Sequence, residues 1–325
     1  MAAGLNRQRL LKILPPAFGV LVLAGVVVGL RGALREVRPS AVFAALAATP
    51  GTQVLHAVLL LFCSIAIMLI YDIPGYLFAR RLPEMPRLGP AQIGLASFCA
   101  YALSHVVGAA AISAAAIRVR LYAQWQVPAA GITRIVAISG TMFSLGLVSL
   151  VGLLLLIFPG EVPLFGAALA MPALRGIGAA LVSAILLYIT AAQLRPQLTL
   201  FGRRFASPGQ RLALAQVVIS CFDTGTACAI LYAVLPAAPG LSYPGMLGIY
   251  LAAFAGGVLS GLPGGVGVFD SVLLLGLSNY LPADAALGAI LLFRALYFLV
   301  PAAAAAMSYA AHEVLLTSRR RRGVK

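Results

Sequence analysis

Long apolar runs, separated by short polar stretches, set the pattern of this chain. Six of them, about 14–34, 54–78, 135–158, 174–193, 212–235 and 286–313, are each near or above the roughly 20 helical residues that cross a hydrocarbon layer. Two further segments are interrupted. Residues 91–117 are rich in Ala, Gly and Ser and contain His105. Residues 246–281 are broken by Pro263-Gly264-Gly265-Val266-Gly267, and the run beyond the break is too short to span. The pattern predicts an all-α, polytopic integral membrane protein of six to eight transmembrane helices, organised as one transmembrane domain over 1–325.

Charge decides the topology. Arginine and lysine collect in loops 80–87, 118–134 and 195–211 and in both tails, whereas 159–173 and 236–245 carry neither. The positive-inside bias then places both termini in the cytoplasm of a bacterial inner membrane, with Arg35 and Arg38 in loop 35–53 as the one exception. Segment 91–117 lies between two basic loops, so it reads best as entering and leaving from the cytoplasmic face. Segment 246–281 lies between uncharged flanks and reads as entering and leaving from outside. Paired short spans are the alternative for each. Re-entrant segments from opposite faces predict a pathway meeting inside the membrane.

Composition agrees with the pattern. Hydrophobic residues are 62% of the chain and charged residues 10%, against about 25% charged in soluble domains. The net charge of +15 is distributed as loop arginine beside anionic headgroups, which argues against nucleic acid as a partner. The four cysteines lie in apolar runs and lack metal-ligand spacing. No HExxH, Walker A or GxSxG motif is present. No enzymatic activity, metal or cofactor is therefore expected.

Candidate chemistry rests on few residues. Asp72, Asp223 and Asp270 fall within apolar runs, where acids usually face a partner or a wet cavity. Asp223 is the deepest. Asp72, close to Arg80, reads as interfacial, and Glu313 as solvated. Arg294 lies far from either end of its span and shares a helix face with Tyr297 and Pro301. It is suited to pairing with Asp270 or Asp223, or to holding a phosphate through parallel hydrogen bonds. A half-helix starting after Gly267 would offer free N–H groups to an anion, with Gly265 and Gly267 allowing close approach. Arg118 and Arg120 read either as interfacial anchors or as headgroup-capturing groups. His105 reads as a hydrogen-bonding packing residue.

Several of these stretches resemble a known family. Tyr71-Asp72, Arg118-Val119-Arg120-Leu121-Tyr122, Asp223 ahead of Leu231-Tyr232, Pro263 to Asp270, and the Arg294/Tyr297/Pro301 face resemble the transmembrane, flippase-like region of lysylphosphatidylglycerol synthetases, the multiple peptide resistance factors. The resemblance implies movement of an anionic or aminoacylated phospholipid between leaflets. The site residues would be Arg294, Asp270, Gly265, Gly267, Arg118, Arg120, Tyr297 and Asp223. Asp270 stands where many relatives carry Glu. The soluble aminoacyl-transferring domain has no counterpart here, so a stand-alone form that makes no lysyl-lipid is expected. Partners would be membrane phospholipid and, through small-residue helix faces, a second copy of the chain. A secondary carrier for a small solute and a scaffold for a lipid-modifying enzyme are the alternatives.

Overall fold

The computed structural model describes residues 47–107, 110–162, 169–194, 197–200, 203–260 and 263–322. The span expected at 14–34 lies outside these residues. Among them, five helical stretches are long and apolar enough to cross a membrane: Gly51–Ala79, Ala129–Ile157, Met171–Leu194, Gln210–Val234 and Ala283–Leu316. Their outer surfaces are apolar, with Leu187 68% exposed and Leu259 on a neighbouring helix 87% exposed. In water this arrangement would be inverted; against lipid tails it carries no penalty.

The first span is two helices, α1 (Gly51–Ile70) and α2 (Ile73–Ala79). The break has a local cause. Pro74 has no N–H for the Ile70 carbonyl. Two residues earlier, the Ser97 hydroxyl replaces a helical hydrogen bond. It accepts the Asp72 N–H at 3.0 Å and donates to the Met68 carbonyl at 2.5 Å. A side chain inserted into the helical ladder bends it, and this one turns Asp72 inward. Ser97→Ala leaves both buried backbone groups unpaired and is expected to lower stability by about 1–3 kcal/mol, measurable by unfolding in mixed micelles.

Both interrupted segments are helical hairpins. The first is α3 (Pro90–Val107) and α4 (Ala110–Gln124). The stretch 118–134, expected as a basic loop, is mostly helix: Arg118 and Arg120 lie on α4 and Arg134 on α5 (Ala129–Ile157). Apolarity marks only the part of a helix facing hydrocarbon or core, so helical ends that carry arginine read as loop. Then come α6 (Met171–Leu194), a small antiparallel hairpin of β1 (Gln197–Leu200) and β2 (Arg203–Ala206), and α7 (Gln210–Val234). The second hairpin is α8 (Tyr243–Ser260), a tight turn at Pro263–Gly265 and α9 (Val268–Leu277).

The last span is α10 (Ala283–Phe293), a π-helical stretch Arg294–Leu299, and α11 (Val300–Arg322). Pro301 explains the π stretch. It cannot donate to the Tyr297 carbonyl and its ring crowds that oxygen. Widening the turn relieves the clash, and the Val300 N–H instead bonds the Ala295 carbonyl, five residues back.

Contacts assign each hairpin to a face. Arg81 donates to the Ser207 and Pro208 carbonyls, and both Arg81 and Arg134 sit over the Phe78 ring. Arg120 at the end of α4 pairs with Glu313 near the end of α11. The first hairpin therefore opens on the arginine-rich face. On the other face Ser242, before α8, bonds Glu161, and the Tyr232 hydroxyl donates to the Leu241 carbonyl. The tips meet between: a Cβ added to Gly264 would lie 3.3 Å from the His105 carbonyl oxygen.

Candidate functional site

Asp72 is fully buried rather than interfacial. The kink that Ser97 imposes carries it inward, where Arg118 binds it through Nε at 2.9 and 3.0 Å and Nη2 at 2.8 Å. Tyr122 and Ser139 also donate to its carboxylate, at 3.1 and 2.8 Å. Four elements are thus tied to one acid. The remaining arginine nitrogen, Nη1, has no hydrogen-bond partner among the described residues, and Arg118 forms part of a cavity wall.

Arg120 makes two parallel hydrogen bonds to Glu313, at 3.0 and 2.8 Å, and Gln124 donates a third at 2.8 Å. Glu313, read from sequence as solvated, is mostly covered, its side chain 17% exposed. This group clasps the outer ends of α4 and α11.

Arg294 and Asp270 pair with each other, Nε at 2.6 Å and Nη2 at 2.7 Å. The guanidinium lies over the Phe269 and Phe298 rings and reaches the Gly264 carbonyl at 3.4 Å. Asp270 also accepts the Gly267 N–H at 3.0 Å, capping the start of α9. The helix N-terminus expected to receive a substrate anion thus holds the chain's own carboxylate. Gly264, Gly265 and Gly267 all have positive φ, at +58°, +61° and +80°. At Gly265 a Cβ would also meet the Gly257 Cα at 2.8 Å, so the turn needs glycine for two reasons.

Asp223 lies near the middle of α7, 5% exposed. Its Oδ2 accepts the Tyr101 hydroxyl at 2.5 Å, and Tyr101 lies 3.2 Å from the Tyr297 hydroxyl. Its Oδ1 is buried with no hydrogen-bond partner among the described residues. His105 stacks on the Tyr101 ring at 4.6 Å, and its Nδ1 lies 2.8 Å from the Tyr101 carbonyl. A carbonyl only accepts, so Nδ1 carries the proton.

Where the hairpin tips meet there is a cavity of about 490 Å³. Of the residues singled out from sequence, Arg118, Asp223 and Gly265 line it; Arg294, Asp270, Gly267, Arg120 and Tyr297 do not. Tyr71, Tyr101, His105 and Ser139 line it or reach it and were not assigned a site role from sequence. Their signal was weak, because hydroxyls and a lone histidine in an apolar run are usual packing groups. Ser104 and Thr224 add two more hydroxyls, and the rest of the wall is mostly aromatic and aliphatic. Towards the outer surface it includes Ile112 on α4, 74% exposed, Val258 on α8, 47% exposed, and the exposed Gly140 on α5. Among the described residues, the cavity therefore has a side opening between α4, α5 and α8.

Apolar spans surrounding two opposed helical hairpins define a multi-pass membrane protein with a largely apolar cavity that carries a few polar and charged groups. No family model matches the chain. It is 31% identical over 319 residues to the Synechocystis sp. protein slr0712, covering 97% of this chain and 96% of that one, and it belongs to the family of that protein. Inner membrane protein YbhN of Escherichia coli is 28% identical over 226 residues, 69% of this chain and 70% of that protein. A phosphatidylglycerol lysyltransferase of Staphylococcus haemolyticus is 35% identical over 86 residues, 26% of this chain and 10% of the enzyme.

Proposed function

We propose that this protein moves phospholipid between the leaflets of the bacterial inner membrane, with the headgroup passing through the cavity while the acyl chains stay in lipid. The side opening carries this reading. A small solute needs a closed wall around its route, whereas a substrate with acyl chains needs a gap in that wall. Ile112, Val258 and Gly140 belong both to the cavity and to the apolar outer surface. A cavity of about 490 Å³ falls within the range of small-molecule sites. The segment shared with a phosphatidylglycerol lysyltransferase supports a phospholipid as substrate.

Arg118 is the group on the cavity wall suited to a phosphate. Nε and Nη2 remain on Asp72, and Nη1 is left to donate, so substrate binding does not break the buried pair. Arg294 and Asp270 act indirectly, bracing the glycine turn that forms one end of the cavity. The arginine-rich face lies in the cytoplasm by the positive-inside bias.

The test is translocation of fluorescently labelled phosphatidylglycerol in proteoliposomes, comparing wild type with Gly140→Trp. A Cβ on Gly140 meets nothing within 4 Å, so a side chain can leave the backbone there without a clash, and an indole is expected to narrow the opening. Wild type is expected to move lipid. The variant is expected to lose about an order of magnitude in rate with its unfolding midpoint little changed. Equal rates in the two proteins would exclude the cavity as the route, and wild-type rates no higher than protein-free liposomes would exclude lipid transport.

A further inference from the structure

Asp72, Asp270 and Glu313 each hold an arginine. Asp223 is different. It is more deeply buried than Asp270 or Glu313, yet among the described residues no cation touches it. One oxygen has the Tyr101 hydroxyl and the other, Oδ1, is buried with no partner among the described residues. An ionised carboxylate in this position would leave a negative charge without counter-charge and a strong acceptor without donor, in surroundings that solvate charge poorly.

The groups facing Asp223 offer no remedy. From α3 come Tyr101 and, on the same cavity wall, His105, whose Nδ1–H is committed to the Tyr101 carbonyl. Tyr71 at the end of α1, Tyr250 of α8 and Tyr297 of the π-helical stretch are within electrostatic reach. All are neutral. Arg118 lines the same cavity, but its charge is balanced by Asp72, and its remaining nitrogen, Nη1, makes no hydrogen bond to Asp223. A proton on Oδ1 removes the charge and turns the unmet acceptor into a neutral O–H, which costs far less to bury than a carboxylate. It would come from water entering the cavity and return there, forming and breaking one O–H bond with no change of oxidation state.

We infer that Asp223 is an exchangeable proton site on the cavity wall, and that lipid movement is coupled to its loading and release. The second clause rests on the transport reading above. The site lies where a headgroup must pass, so a headgroup donor and a proton would compete for the same oxygen. Only one of them can occupy it at each stage of a cycle. That exclusion is the physical requirement for coupling.

Infrared difference spectra recorded through a pH titration of the protein in nanodiscs test the site without any lipid assay. The expected result is a carboxylic acid C=O band in wild type that disappears as pH rises. The band should be missing from Asp223→Asn and displaced in Asp223→Glu, the second variant identifying it should the first fail to fold. A wild-type spectrum without a titrating carboxylic band, or one unaltered in both variants, overturns the site. In proteoliposomes with the voltage clamped, reversing an imposed pH gradient is expected to change wild-type lipid flux severalfold. Lipid flux indifferent to that gradient overturns the coupling. A titrating Asp223 band in a protein that moves no lipid upholds the proton site and overturns the lipid reading and the coupling together.

Discussion

Arg118→Ala is expected to cost about 3–5 kcal/mol of fold stability, the range found when one member of a buried ion pair is removed and the other left behind. The partner is Asp72, fully buried, with hydrogen bonds from α4, from α5 and from the Arg118 side chain itself. Deleting the guanidinium strands that carboxylate in the centre of the bundle. Replacing both residues together, Asp72→Leu with Arg118→Met, is expected to cost much less than the sum of the single changes, because neither charge then has to be desolvated. The Arg120–Glu313 pair is the internal comparison. It is more exposed, at 11% and 17% of its side chains, and Arg120→Ala is expected to cost only about 1 kcal/mol. Unfolding of the variants in mixed micelles measures all of these. Single changes at Asp72 and Arg118 no larger than that at Arg120 would mean the pair is hydrated rather than buried.

Gly265→Val is expected to be the most damaging substitution in the second hairpin. A β-branched residue at φ +61° costs roughly 1–2 kcal/mol for the left-handed backbone alone. The new side chain also meets the Gly257 Cα at 2.8 Å, backbone that cannot rotate away. The turn must then move off α8, and with it one end of the cavity, so lipid translocation should fall along with stability. Gly267 provides the control. It has φ +80° but open space around a Cβ, so Gly267→Ala should show the backbone cost without the clash. If Gly265→Ala and Gly267→Ala unfold alike, the close approach to α8 is not what demands glycine at 265.

Part of the cavity wall was legible in the chain, as Arg118, Asp223 and Gly265 line it. Asp223 drew notice because a lone acid amid apolar residues needs a reason, and it does line the cavity. Asp270 and Arg294 were recognised as one of two available pairings, and the structure selects it over Asp223–Arg294. The glycine run announced a turn. What it left open was the occupant of the helix start beyond it, since a capping carboxylate and a bound phosphate make the same demand on the N–H groups. The Asp72–Arg118 pair was not legible. Its members are 46 positions apart, and each had an ordinary interfacial explanation. Only the bend that Ser97 puts into the first span, itself a contact between helices, turns Asp72 away from the surface.

The sequence alone determined the membrane class, the apolar spans within the described residues and the two interrupted segments, and charge placed the ends of those segments on opposite sides. These follow from quantities that add along the chain: apolar length against hydrocarbon thickness, and arginine counted loop by loop. The tertiary structure decided which charges neutralise one another, which are left unpaired, and where the wall of the cavity opens. Those outcomes depend on how each helix is rotated about its axis and how closely two backbones approach. A rotation of one residue, about 100° on a helix, exchanges a buried partner for a lipid-facing side chain without altering the apolar pattern at all.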